Sequence, residues 1–163
     1  MNIFALDLNP SLASRYHTDK HVVKMPLETA QMLCTASYLS GSPQKYKPAF
    51  INHPCNIWAR KSLDNYYWLC ELGLYLCDEY KYRYNREHAC KSVIKECYNN
   101  IPAILSIGLT PHELAMPDDC KMNDAVNSYH AYYNNYKRHL FSWTKRNTPE
   151  FIVTKFCNLG QDR

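Results

Sequence analysis

The sequence lacks the marks by which several large protein classes are read. No apolar run reaches the roughly 20 residues of a membrane-crossing helix. The start, MNIFALDLNPS, has no basic stretch and meets Asp7 early, so no secretory leader is expected. No block of like charges forms a polybasic tail. A glycine-rich phosphate loop, GxGxxG, GxSxG and the HxE…PCxxC zinc-deaminase signature are all missing, which leaves kinase, dinucleotide-binding and zinc-deaminase readings without support. C-x-x-C is absent too, and with it the short cysteine pairs of structural zinc sites. No repeat and no second domain can be traced, so residues 1–163 read as one domain with a core to about 151 and a tail over 152–163.

What is present is a chain able to bury a real core. Of its 163 residues, 46% are hydrophobic and 21% charged, a balance that excludes disorder. Fourteen tyrosines and three tryptophans suit half-buried positions and binding surfaces. The formal charge of +4 is compatible with a phosphate-bearing partner without requiring one. There are eight cysteines, and the Cys70/Cys77 and Cys90/Cys97 pairs are each separated by two helical turns. They are expected to be reduced, buried small hydrophobes in a cytoplasmic protein.

The periodicity is helical nearly throughout, and the expected class is an all-α, multi-helix bundle. NIFALDL (2–8) reads as a short strand or an extended segment. Asn9 and Pro10 then form an N-cap and first helical position, opening a short helix to about Tyr16. The next helix runs from Thr18 or Asp19 to about Leu39, with Pro26 predicting a kink or a break. SGSPQKYKP (40–48) is a loop. The longest helix is expected to begin near Pro54 and continue to about 85. Another follows over 88–100. TPHEL predicts a helical turn capped by Thr110 with Glu113 at the capping-box position, and a last helix is expected over about 123–146. Its aromatic stripe, with Tyr129, Tyr133 and Tyr136, reads as core or as a stacking surface.

Four constellations carry possible chemistry. In YHTDKHVVKMPLETAQ (16–31), His17, Lys20, His21, Lys24 and Glu28 recur at helical spacing. Such a face either is solvated, with a Lys24/Glu28 pair, or binds an anion and moves a proton. Two histidines four apart also suit a metal, but no carboxylate or cysteine set completes one, so neither metal nor cofactor is expected. His53 in NHPC either caps a helix or acts as a general acid or base. Along the long helix, Arg60, Asn65, Trp68, Glu79 and Arg83 lie among apolar residues, with Tyr84 and His88 just beyond. Polar groups so placed must pair with each other or with a ligand, and phosphate or base binding is the ligand reading. Asp118 in MPDDCK is a turn former or a catalytic carboxylate facing the His/Lys helix.

NIFALDLNP, DKHVVKM, ETAQMLCTA, YKPAFINHPCNIWAR, EYKYRY, AMPDDCK and YHAYYNNYKRHLFSWTKR together resemble a family of small proteins of tailed phages and other large DNA viruses. The likeness spans about residues 1–151, and DKHVVKM and NHPC are its most specific marks. It implies a viral origin and the cytoplasm of an infected cell, and it implies no reaction. Pro26 departs from the apolar residue expected after DKHVVKM.

Two functions remain in view. The first is a viral enzyme acting on a nucleotide or DNA base, by base excision or base modification, through the His/Lys/Glu helix face. The second is a module that binds and sequesters a nucleotide or nucleic acid without chemistry. Neither reading invokes a membrane, and neither sets an oligomeric state.

Overall fold

The computed structural model describes residues 1–154, and among these the chain forms six α-helices, two short 3-10 turns and no strand. The all-α expectation holds. The first eight residues form neither helix nor strand: Ile3, Phe4, Ala5 and Leu6 are buried in the core, and the chain bends from Leu6 onward to bring Leu8 to the surface.

α1 (Pro10–Tyr16) begins where Asn9 turns its side-chain oxygen onto the Ser11 and Leu12 amides, with Pro10 in the first turn. α2 (Asp19–Leu39) is continuous through Pro26. Of the kink or break expected at that proline, the break does not occur, since a helix this long loses only one internal hydrogen bond there and keeps its bonds on either side. The long helix expected from Pro54 is divided into α3 (Pro54–Ala59) and α4 (Leu63–Tyr84). The division is enforced at Ser62, whose hydroxyl accepts from the Asp64 amide and donates to the Gly108 carbonyl at 2.8 Å. α4 closes at Asn85, in left-handed conformation at φ 54°. α5 (Lys91–Asn99) follows.

α2 and α4 form the central pair, and α1, α3 and α5 pack on them. They pack tightly at Gly73, where an added Cβ would stand 2.7 Å from Thr29 Cγ2 and 3.0 Å from Ile94 Cδ1. The hydrogen in place of a side chain there is what lets α2, α4 and α5 meet.

TPHEL is not helical. Thr110 is instead held along α4: Asn65 donates to its hydroxyl oxygen at 2.8 Å and accepts from its amide at 2.9 Å, while Trp58 Nε1 donates to its carbonyl. These tertiary bonds outcompete the local capping box. α6 spans Ala125–Tyr136, capped by Asp124. The helix expected to reach 146 stops there, because the chain turns back across α1 and α2. Trp143 Nε1 donates to Tyr16 O at 2.9 Å, and Arg146 reaches Glu79. Tyr129 and Tyr133 of the aromatic stripe are fully buried core residues. The seven cysteines of the described residues, Cys157 lying outside them, are free and buried. No described helix is long and apolar enough to cross a membrane.

Candidate active site

One turn after another of α2 delivers His21, Lys24 and Glu28 to a single polar pocket of about 150 Å³. The N-terminal segment closes it with Met1, Asn2 and Phe4, and α6 with Tyr132 and its C-cap Lys137.

Glu28 is its buried acidic centre. One carboxylate oxygen accepts from the Asn2 amide at 3.0 Å and stands 3.8 Å from the Met1 nitrogen; the other meets Lys24 Nζ at 2.9 Å. The Lys24 side chain is 64% exposed, so its ammonium spans from Glu28 to solvent. His21 stacks on Phe4 with ring centroids 4.3 Å apart and shares a 2.6 Å hydrogen bond with the Tyr133 hydroxyl. Burial, followed by repulsion from His17, Lys137, Lys24 and His139, lowers its pKa to about 3. Its imidazole is therefore neutral near pH 7, able to donate and accept without carrying charge. Burial also drives the Tyr133 phenol upward, keeping it protonated. Lys137 Nζ lies 4.7 Å from the centre of the Tyr132 ring, a second cation at the rim.

His53 sits at the margin of this group. It caps α3, accepting from the Cys55 amide at 3.2 Å. Burial lowers its pKa, the positive charge at Met1 acts the same way, and Glu28 opposes both.

The other expected site residues lie elsewhere. His17 follows α1 rather than riding on α2; it is fully buried, donates from Nδ1 to Ala13 O at 2.7 Å, and is lowered to about 4 chiefly by burial. Lys20 points to a different hollow, with Asp19, Val23 and Tyr84. Tyr84 donates to Asp19 O at 3.5 Å, and His88 donates from Nε2 to Val23 O at 2.9 Å.

Arg83 does not face the pocket. Its guanidinium is spent inside the protein, on Glu79, Asp19, His17 O and Arg15 O, all within 3.0 Å. Glu79 also takes two 2.9 Å bonds from Arg146. Burial pushes the Glu79 carboxyl up, but the bonds from Arg146 and Arg83 outweigh it and hold the pKa below the ordinary value. Of the two readings of this pair, the internal one fits. Asn65 is bonded to Trp58 O and Thr110, and Trp68 Nε1 donates to Leu8 O. Arg60 binds Asn56 and the Ile51 carbonyl. These side chains are held by contacts inside the protein, away from the pocket. Asp118 does not face the His/Lys helix: its side chain is 93% exposed and paired with Lys121 three residues on.

The pocket residues outside the expected site are Met1, Asn2, Phe4, Tyr132 and Lys137. Asn2 was signalled as the one amide in an apolar run. Lys137 stands one helical turn beyond Tyr133, continuing that face of α6. Larger hollows lie elsewhere. Those of about 340 and 390 Å³ adjoin Leu8 and Ala125, with mainly apolar walls and no lysine or arginine; the one beside Lys20 is about 320 Å³, and one of about 250 Å³ sets Arg15 and Arg146 against Asp78 and Glu79. Among the described residues, no cluster of three or more His, Cys, Asp and Glu is placed to hold a metal ion.

Comparison of the chain with protein-family models, with curated proteins and with solved structures finds no match.

Proposed function

We propose that the protein is a viral enzyme acting on a nucleotide or DNA base, by base excision or base modification, in the cytoplasm of an infected cell. The observation that carries this reading is the buried Glu28 carboxylate holding the Lys24 amine 2.9 Å away, beside a neutral His21. A carboxylate, an amine and an uncharged imidazole on one wall supply a base that can return its proton, a nucleophile and a hydrogen-bond donor. Phe4 and Tyr132 offer aromatic surface to a base ring, and Lys137 offers charge to a phosphate.

For base excision, Lys24 passes a proton to Glu28 and attacks the sugar C1′. The bond from C1′ to the base nitrogen breaks, and the base leaves with that electron pair and takes up the proton that Glu28 received from Lys24, with the neutral His21 as a hydrogen-bond donor beside it. Opening of the sugar ring gives a Schiff base, which water hydrolyses to regenerate the amine.

The test is incubation with nucleotides and with DNA carrying modified bases, analysed by mass spectrometry with and without borohydride. The expected result is a released or altered base, and a reduced adduct that maps to Lys24. Lys24→Ala and Glu28→Gln should each lower turnover by about 10²-fold or more, with the helical fold retained by circular dichroism, whereas Lys20→Ala should not. Tight binding of an unaltered ligand would replace the enzyme by a sequestering module. Turnover that survives both pocket substitutions would refute the assignment.

A further inference from the structure

We infer that the loop before α3 is a docking surface for a single strand of DNA, with Phe50 as the platform on which a base stacks. This rests on the nucleotide or DNA-base reading of the pocket and names the form of its substrate.

Phe50 has φ 49°. That left-handed conformation is ordinary for glycine or asparagine and costly for a bulky residue. The cost gains nothing inside the protein, because the residue is 68% exposed. Yet the strained turn is firmly built. Asn56, wholly buried, donates to Ala49 O at 2.8 Å and Phe50 O at 3.2 Å. Arg60 donates to Ile51 O at 2.8 Å and to Asn56 Oδ1 at 3.1 Å. Three successive carbonyls are thus clamped by two side chains, and the His53 amide closes the turn on Phe50 O at 2.9 Å. Strain held in place by surrounding structure, with an aromatic ring aimed at solvent, is the pattern of a residue kept for a partner.

The turn is joined to the pocket. His53 ends it and feels the charge of Glu28. Asn56 Nδ2 lies 4.0 Å from the sulfur of Met1, which lines the pocket.

Charge fits a phosphate backbone. Between Glu28 and Asp64 there is no acidic residue, while Lys45, Lys47, Arg60 and Lys61 all fall there. Lys45, Lys47 and Lys61 are exposed. Aromatic surface interleaved with such cations is how single strands are held.

Size favours a strand over a free nucleotide. At about 150 Å³ the pocket is well below the roughly 300–1,000 Å³ of sites that enclose small molecules. It admits one ring or one phosphate and leaves the rest of the ligand outside, as when one base is taken out of a strand. The neighbouring base then lies over Phe50.

The test measures binding of a short fluorescent single-stranded oligonucleotide by anisotropy across a salt series, with thymidine monophosphate as the free-nucleotide probe. Phe50→Ala and Phe50→Gly should each weaken oligonucleotide binding about tenfold, and Phe50→Tyr should not. Phe50→Gly should melt above Phe50→Ala, since glycine relieves the backbone. Lys45→Ala with Lys47→Ala should reduce the salt slope by about 2. If the oligonucleotide binds equally to the wild type and both truncations, the stacking role falls and the pocket reading stands. If thymidine monophosphate binds and the oligonucleotide does not, the strand is overturned and a free nucleotide is left as the substrate. If neither binds, both proposals fall.

Discussion

His112 offers a quantitative test of how burial sets the acid stability of this fold. Its ring stacks on Trp58 with centroids 4.5 Å apart and meets Trp68 edge-on at 4.3 Å, and its buried Nε2 has no hydrogen-bond partner. Burial lowers its pKa to about 4, whereas an unfolded histidine titrates near 6.5. Above pH 6.5 the imidazole is neutral in both states and contributes no slope. As pH falls through 6.5 toward 4, the unfolded chain takes up a proton that the folded chain refuses, so stability is lost over that window. Between pH 7 and 5 the loss from this one residue is about 2 kcal/mol. His17 and His21, lowered to about 4 and about 3, act in the same direction. The three together remove on the order of 5 kcal/mol, as much as the whole stability of a marginal domain. Asp19 and Glu79, whose pKa values are lowered, lose their contribution only below about pH 4.5, outside this window. His112→Phe keeps a ring between the two indoles and leaves no polar atom unpaired. It should match or exceed wild-type stability at pH 7 and lose about 2 kcal/mol less on going to pH 5. Urea unfolding followed by tryptophan fluorescence, repeated across pH 7 to 5, measures both. Parallel pH profiles for the two proteins would refute the account, since His112 would then titrate alike in both states.

Two further substitutions probe the frame around the site. Gly73→Ala adds helix propensity worth about 1 kcal/mol but drives a Cβ against Thr29 and Ile94. The balance should be a net loss of about 1–2 kcal/mol by urea denaturation, largely restored in the double variant with Thr29→Ser. Equal stability of Gly73→Ala and wild type would show that the crossing has room. Glu79→Gln strips the carboxylate from Arg83 and Arg146 and should cost about 3 kcal/mol, the lower end for a broken buried pair because Asp19 still meets Arg83. A change below 1 kcal/mol in thermal or urea unfolding would mean that the pair is solvated, about as weak as a surface ion pair.

What could be read from the chain was whatever neighbours in sequence decide. Asn9-Pro10 marks the start of α1 because cap and first turn are adjacent. Glu79 and Arg83 are four apart, and their pairing was one of two open readings. Spacing also brought His21, Lys24 and Glu28 onto one wall. Lys20 fails the same rule because each step of four rotates about 40° around the axis, and over two steps it leaves the face that Glu28 occupies. The break at Ser62 was hidden because the apolar pattern runs on across it and its decisive partner, Gly108 O, lies 46 residues away. The far wall of the pocket was hidden for the same reason. Asn2 meets Glu28 across 26 residues, and Tyr133 meets His21 across 112, and no periodicity within an element reports such meetings.

The clasp at the start of α2 also sets an order in time. Asp19 accepts from the Thr144 amide and from the Ser142 and Thr144 hydroxyls, and its own amide donates to Ser142 O. At a synthesis rate of about 5–20 residues per second, Thr144 leaves the ribosome roughly 6–25 s after Asp19. Tyr132, Tyr133 and Lys137 emerge only just before it. The nascent chain therefore carries a half-built pocket and an unclasped helix start throughout that interval. Closure of the pocket and of the clasp must therefore wait for residues 132–144, whatever has folded before them.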